Sequence, residues 1–215
     1  MMIFGYPSSY GSYASEVMPL EYMFGSVARP LRNIGDIDGI SFLVLFGGED
    51  ISTCWYNEKP VYAHSFMGPS TRERTEMGLV EECISRGIPI LGICRGAQFM
   101  CAYLGGKVWQ HVDNHAGHDH RMVCMATGDY YLTNSYHHQM MIPSPEMELL
   151  FAVDEPLSPR KCGEQPQMTD GHEAEIVYHR GKNVLMIQGH PEWVDEYHDL
   201  HKLTLKLVKE LLLCQ

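Results

Sequence analysis

Gly92-Ile93-Cys94-Arg95-Gly96-Ala97-Gln98 sets a cysteine between an apolar run, Ile88-Pro89-Ile90-Leu91, and a helical pattern from Phe99 to Leu104. A residue at that junction sits on a sharp turn, which places the sulfur at the surface. The first amides of the following helix point toward it and favour negative charge. Such surroundings favour a thiolate, the nucleophilic form of cysteine. Gly189-His190-Pro191-Glu192-Trp193 supplies a partner for it. His190 can take the thiol proton and later return one to a leaving amine, while Glu192 orients the imidazole. The three residues read as a Cys-His-Glu enzyme that attacks an amide carbonyl. A tetrahedral intermediate also needs two main-chain donors for its oxyanion. The amide of Arg95, next to the nucleophile, offers one; the amide of Gly48, in the Gly47-Gly48 turn, offers the other.

Two further polar segments are candidates. Asn134-Ser135-Tyr136-His137-His138-Gln139 could hold the amino and carboxylate groups of a substrate, or be a solvated loop. His111, Asp113, His115, His118, Asp119 and His120 fit no metal-ligand spacing. Residues 111–120 therefore read as a polar loop, and neither a metal nor a cofactor is expected. The Arg95 side chain could hold a substrate carboxylate or a neighbouring loop.

These residues need elements to position them. Ile3 to Gly5 reads as a first strand, Ala14 to Phe24 as a helix stopped by Gly25, and Val27 to Leu31 as a second strand despite Pro30. Ile40 to Phe46 is a continuous apolar run ending at Gly47-Gly48, the pattern of a strand buried on both faces of a parallel sheet. Ser70-Thr71-Arg72-Glu73 is a capping box opening a helix to Gly87. Arg121 to Ala126 and Tyr130 to Thr133 are strand candidates. Glu175 to Tyr178 and Val184 to Gln188 flank a hairpin turn. Val194 to Leu213 is an amphipathic helix. Strands alternating with helices imply an α/β doubly wound, mainly parallel sheet with helices on both faces, in one domain over residues 1–215. In such sheets the site lies at the carboxyl ends of strands, where Gly47-Gly48, Cys94 and His190 all fall.

The 215 residues carry a net charge of −11, with 45% hydrophobic and 20% charged residues. An acidic chain without basic clusters argues against nucleic acid or an anionic membrane as the main partner. No stretch approaches the roughly 18 apolar residues of a membrane span. The first residues lack a basic and a long apolar region, so no signal peptide is expected. Seven scattered cysteines, none in Cys-x-x-Cys, imply a reducing, cytoplasmic setting without disulfides. Cys83, Cys101 and Cys124 read as small core residues.

The nucleophile segment and Gly189-His190-Pro191-Glu192-Trp193 together resemble the class I glutamine amidotransferase superfamily. Within it they are most similar to the γ-glutamyl hydrolase-like (peptidase C26) branch, which includes γ-glutamyl-γ-aminobutyrate hydrolase. Gly47-Gly48-Glu49-Asp50-Ile51 looks like that branch's Gly-Gly-x-Asp turn. Arg72 to Glu76, Asn134 to Gln139 and Asp170-Gly171 fall in the family's order. The resemblance runs from about Asp36 to Trp193. It implies a flavodoxin-like fold, the triad Cys94, His190 and Glu192, and an oxyanion hole from the amides of Gly48 and Arg95. It also implies contacts from Gly47, Gln98 and the Ser135-Tyr136 backbone to a glutamyl group. The implied reaction hydrolyses a small γ-glutamyl amine or amidated metabolite through a γ-glutamyl thioester on Cys94. Two other readings stay open. One is a glutaminase subunit that acts on glutamine and delivers ammonia to a separate synthetase. The other is a non-enzymatic binding protein on the same fold.

Overall fold

In the computed structural model, which describes residues 1–8, 13–62, 66–163 and 171–214, the chain begins with strand β1 (Ile3–Pro7), helix α1 (Met18–Phe24) and strand β2 (Val27–Leu31). Strand β3 (Phe42–Leu45), helix α2 (Thr71–Arg86), strand β4 (Ile90–Ile93) and helix α3 (Arg95–Tyr103) follow. Then come β5 (Lys107–Trp109), β6 (His111–Val112), β7 (His120–Cys124), β8 (Tyr130–Thr133) and β9 (Met140–Ile142). The chain continues through β10 (Glu148–Val153), β11 (Lys161–Cys162), β12 (Ala174–His179), β13 (Val184–Ile187) and α4 (Asp199–Leu207).

The main sheet has nine strands in the order β2-β1-β3-β4-β13-β12-β10-β7-β8. The run from β2 to β13 is parallel. From β12 to β8 the strands alternate in direction. Along β3, Leu43 and Leu45 pack toward α2 and α3, where Leu79, Val80 and Phe99 meet them. Phe42 and Val44 pack the other way, against Leu20 and Phe24 of α1 and Leu203 of α4. A period of two along a strand covered on both faces gives a doubly wound α/β sheet of the flavodoxin-like kind.

Pro30 is accommodated because β2 is the outermost strand, where a missing N–H breaks no ladder. The capping box at Ser70 and Glu73 is present on both sides, and α2 stops at Gly87 with φ 69°. Other expectations are corrected. Residues 111–120 are not all loop: His111 and Val112 form β6 with β11, and His120 opens β7. The C-terminal helix starts at Asp199 rather than Val194. Asp195 Oδ1 accepts from the amides of Tyr197 and His198 and so turns the chain there, and His198 then caps the helix. Cys83 and Cys101 are fully buried, and burial pushes each thiol up to about 12. Cys124 is only half-buried. No helix among the described residues is long and apolar enough to cross a membrane.

Candidate active site

Cys94 is the single residue between β4 and α3, and its backbone is forced to φ 49°, ψ −108°. That conformation costs a side-chain-bearing residue about 1–3 kcal/mol. Neighbouring glycines make the turn possible. A Cβ at Gly92 would lie 2.7 Å from the Gly96 carbonyl oxygen, and one at Gly96 would lie 2.2 Å from that of Leu45. The Cys94 amide is tied to the Ile187 carbonyl of β13 at 2.8 Å, and the Gln98 amide closes the first turn of α3 on the Cys94 carbonyl at 3.0 Å. The residue is only 6% exposed. Its sulfur is not displayed on the surface, as the motif suggested, but lies at the base of a cleft of about 50 Å³.

The carboxyl end of β13 delivers the partner. His190 hydrogen-bonds the Cys94 side chain, and its Nδ1 lies 2.7 Å from Glu192 Oε1. Burial disfavours a charge on this ring. The hydrogen bonds to Cys94 and Glu192, with their negative charges, outweigh it and raise the pKa from 6.5 to about 10. The sign follows: His190 binds its proton more tightly in the folded chain. Its contribution to stability is complete below about 6.5 and is lost as pH rises through about 10.

Three groups fix the imidazole. Trp193 stacks flat on it, with centroids 3.7 Å apart and planes 1° from parallel. A Cβ at Gly47 would lie 2.7 Å from His190 Cε1, so only glycine fits under the ring. Asn134 clamps its backbone: Oδ1 accepts from the His190 amide at 2.7 Å and Nδ2 donates to the His190 carbonyl at 2.8 Å. Asn134→Ala leaves the buried His190 amide unpaired and its carbonyl with only the Trp193 amide at 3.2 Å, an expected loss of about 1–3 kcal/mol. Asn134→Asp should also fail, because a carboxylate cannot donate to the carbonyl. Thermal denaturation of both variants checks this; an Asp variant as stable as the wild type would contradict it.

Gly48, with φ 139°, shares the cleft wall with Cys94, Gln98, Tyr136 and Gln139. Arg72 holds the turn before it, donating to the carbonyls of Phe46 at 2.9 Å and Gly47 at 3.0 Å. Gln98 donates to the Gln139 carbonyl at 2.9 Å. The Ser135 hydroxyl turns away from the cleft, onto the His115 carbonyl at 2.5 Å, and the Ser135 carbonyl accepts from the Gly117 amide at 2.7 Å. The Arg95 side chain faces away too, buried against Glu73 and Glu76 of α2. It therefore holds helix α2, rather than a substrate carboxylate or the loop that the sequence suggested. Asn134 to Gln139 is not a solvated loop, since Asn134, Ser135, His137 and Gln139 are all buried. Asp170 lies outside the described residues. The roles of Trp193 and Asn134 in holding the imidazole carry no sequence signal beyond membership of their motifs.

The cleft opens outward. Asp50 and His138 border it and also line a second, wider cleft of about 530 Å³ with Glu49, Tyr62, Phe66 and His111. Tyr62 and His111 stack there at 4.2 Å, and His138 bonds Asp50 at 2.8 Å.

Sheet order and site geometry together define a class I glutamine amidotransferase-like α/β protein. A Thermoplasma acidophilum structure, provisionally named as part of a GMP synthase, shares the fold, with TM-score 0.65, 16% identity and coverage of 95% of this chain and 92% of that one. A Peptidase C26 family model matches residues 32–147, and the chain belongs to that family. A provisionally named glutamine amidotransferase of Mycobacterium tuberculosis is 37% identical over 82 residues, 38% of this chain and 26% of that protein. A glutamine amidotransferase-like protein of Lactococcus lactis is 26% identical over 178 residues, 73% of this chain and 69% of that protein. The γ-glutamyl-CDP-amidate hydrolase of Campylobacter jejuni is 29% identical over 98 residues, 46% of this chain and 42% of that enzyme. The chain thus spans less than half the length of the mycobacterial and Campylobacter proteins.

Proposed function

We propose that the protein is a cysteine-dependent hydrolase that cleaves the γ-glutamyl amide bond of a small γ-glutamyl amine or amidated metabolite. One observation carries the reading: the His190 ring stands beside Cys94, its Nε2 and the Cys94 Cβ both 3.5 Å from a Cβ placed at Gly47, with its far nitrogen bonded to Glu192 at 2.7 Å, at the base of a cleft. In the first half-reaction the Cys94 thiolate attacks the γ-carbonyl carbon. The amides of Gly48 and Arg95 receive the developing oxyanion. The C–N bond breaks as the His190 imidazolium gives its proton to the departing nitrogen, leaving a γ-glutamyl thioester and a free amine. In the second half, His190 removes a proton from water, hydroxide adds to the thioester, and the C–S bond breaks. Glutamate leaves and the thiolate is restored. Glu192 keeps the imidazole aligned throughout and stabilises its charged form.

The glutamyl group would contact Gly47, Gln98 and the Ser135-Tyr136 backbone. The departing amine would lie in the wider cleft, where stacked Tyr62 and His111 and the acids Glu49 and Asp50 suit a cationic amine. The test is incubation with γ-glutamyl amines and glutamine, following amine or ammonia release and an acyl adduct on Cys94 by intact-protein mass spectrometry. Turnover of at least one γ-glutamyl amine with the adduct is the expected result. Activity on glutamine that appears only when a partner chain is added would instead favour a glutaminase subunit. No adduct and no turnover of any substrate would overturn the reading.

The raised His190 pKa makes a kinetic prediction. Departure of the amine needs the protonated imidazole, so kcat/KM should hold through neutral pH and fall near pH 10. Glu192→Gln removes one of the interactions that raise this pKa, and the alkaline limb should move to lower pH. A pH profile of both proteins checks it; an unmoved limb would count against the assigned role of Glu192.

A further inference from the structure

We propose that His115, His137 and Glu175 form a buried site for one divalent cation of the zinc class, with a structural role. The ligating atoms of these three residues all lie within 4.8 Å of one another. His115 is 0% exposed, Glu175 1% and His137 4%. His115 Nδ1 lies 3.9 Å, and His137 Nε2 4.0 Å, from Glu175 Oε1. Tetrahedral ligands about 2.1 Å from zinc are separated by about 3.4 Å, so each histidine would close on Glu175 by roughly half an ångström, and the widest separation in the set, up to 4.8 Å, by more.

Hydrogen bonding points the right atoms inward. His115 Nε2 is engaged by Glu173 Oε2 at 3.0 Å, which leaves Nδ1 facing the cluster. His137 Nδ1 is engaged by the Gln139 carbonyl at 2.8 Å; a carbonyl only accepts, so Nδ1 carries the proton and Nε2 presents a lone pair. His120 Nε2 engages Glu175 Oε1 at 3.0 Å. The atoms left over are His115 Nδ1, His137 Nε2 and Glu175 Oε2, and none has a hydrogen-bond partner among the described residues. Two buried, unpartnered imidazole nitrogens lie 3.9 and 4.0 Å from a carboxylate oxygen, and acceptors gathered in this way repel without a cation or proton between them. Histidines whose outer nitrogens are held by a carboxylate and a backbone carbonyl are the usual form of a metal ligand. Two imidazoles and a carboxylate suit zinc better than calcium or magnesium, which prefer oxygen. This revises the sequence expectation that no metal is bound.

A cation here would join three separate stretches: His115 between β6 and β7, His137 between β8 and β9, and Glu175 on β12. His137 and Gln139 also line the cleft at Cys94, so the cation would brace one wall of the candidate active site without entering the chemistry.

The test strips the whole protein with chelator and titrates it with Zn²⁺ and, separately, Co²⁺. Stoichiometry is read by native mass spectrometry, geometry by Co²⁺ absorption and stability by thermal unfolding. One equivalent is expected, with a tetrahedral Co²⁺ spectrum lacking a sulfur charge-transfer band and a higher melting temperature. Glu175→Gln, close to isosteric, should weaken binding about 100-fold or more. Glu173→Gln, which weakens the support of His115 along with the hold of Glu173 on the Leu157 and Ser158 amides, should weaken it about 10–100-fold. Circular dichroism confirms that the variants fold, and the wild-type titration stands if they do not. No stoichiometric binding would show that protons alone join the cluster and would overturn the proposal. So would a sulfur band, which would place the cation at a cysteine thiolate, or equal binding by wild type and folded variants.

Discussion

Cys94→Ala is expected to lower kcat for γ-glutamyl amide hydrolysis by about 10⁴-fold or more, with no acyl adduct formed. Among the described residues no other thiol is placed to replace it: Cys94 is the one cysteine lining the cleft, and Cys83 and Cys101 are buried with raised pKa values. The loss should be chemical rather than structural. Alanine must take the same φ of 49° as the cysteine, so the strain is unchanged and the melting temperature should stay close to that of the wild type. Cys94→Gly separates the two effects further. Glycine adopts positive φ without a Cβ clash, so that variant should be equally inactive yet about 1 kcal/mol more stable than the alanine variant. Steady-state kinetics with thermal denaturation reads both quantities. An alanine variant within tenfold of wild-type kcat would remove Cys94 from the mechanism.

The strand–turn–helix around Cys94 was legible because three local signals agree there: an apolar strand, two glycines and a helical pattern. The same agreement holds at Ser70, where a capping box opens α2. Legibility falls where an element depends on a distant partner. Strand β9 has three residues and exists by pairing with β5; β6 and β11 have two each and exist only as a pair. Two or three residues give no periodicity to read. In β10 the pairing with β12 is irregular, with register shifts at Phe151, which breaks the alternation that marks a strand. Side-chain direction is also hidden. Asn134-Ser135-Tyr136-His137 is polar in sequence, yet Asn134 turns to the His190 backbone, Ser135 to the His115 carbonyl and His137 to Gln139. Polar residues in a row suggest water until the partner segments are known, and those lie 20 to 56 residues away for Ser135 and Asn134.

Arg95 shows how far such a partner can matter. Arg95→Met is expected to destabilise the protein by about 3–5 kcal/mol, the usual cost of removing one member of a buried ion pair. Its side chain is 1% exposed and engages Glu76, itself 1% exposed, with Glu73 at 3.8 Å and 0% exposed. The guanidinium also lies over the Phe99 ring at 5.2 Å. Removing it leaves two buried carboxylates on adjacent turns of α2. Arg72 at 2.7 Å from Glu76 and the amides of Ser52 and Ser70 on Glu73 neutralise them only in part. At about 2–4 °C per kcal/mol for a chain of this size, the melting temperature should fall by roughly 6–20 °C. Adding Glu76→Gln should recover part of that loss, because the uncompensated charge, rather than the missing attraction, carries most of the cost. The exposed pair Arg121–Asp154, at 64% and 19% side-chain exposure, is the control: Arg121→Met should cost about 0–1 kcal/mol. A fall for Arg95→Met no larger than the control's would contradict the buried-pair account. Kinetics separates anchoring of α2 from the substrate-carboxylate role that the sequence left open for Arg95. A side chain that anchors α2 to the start of α3 can be replaced with KM unchanged well below the melting temperature, because the Arg95 main-chain amide remains in place. A side chain that held a substrate carboxylate could not.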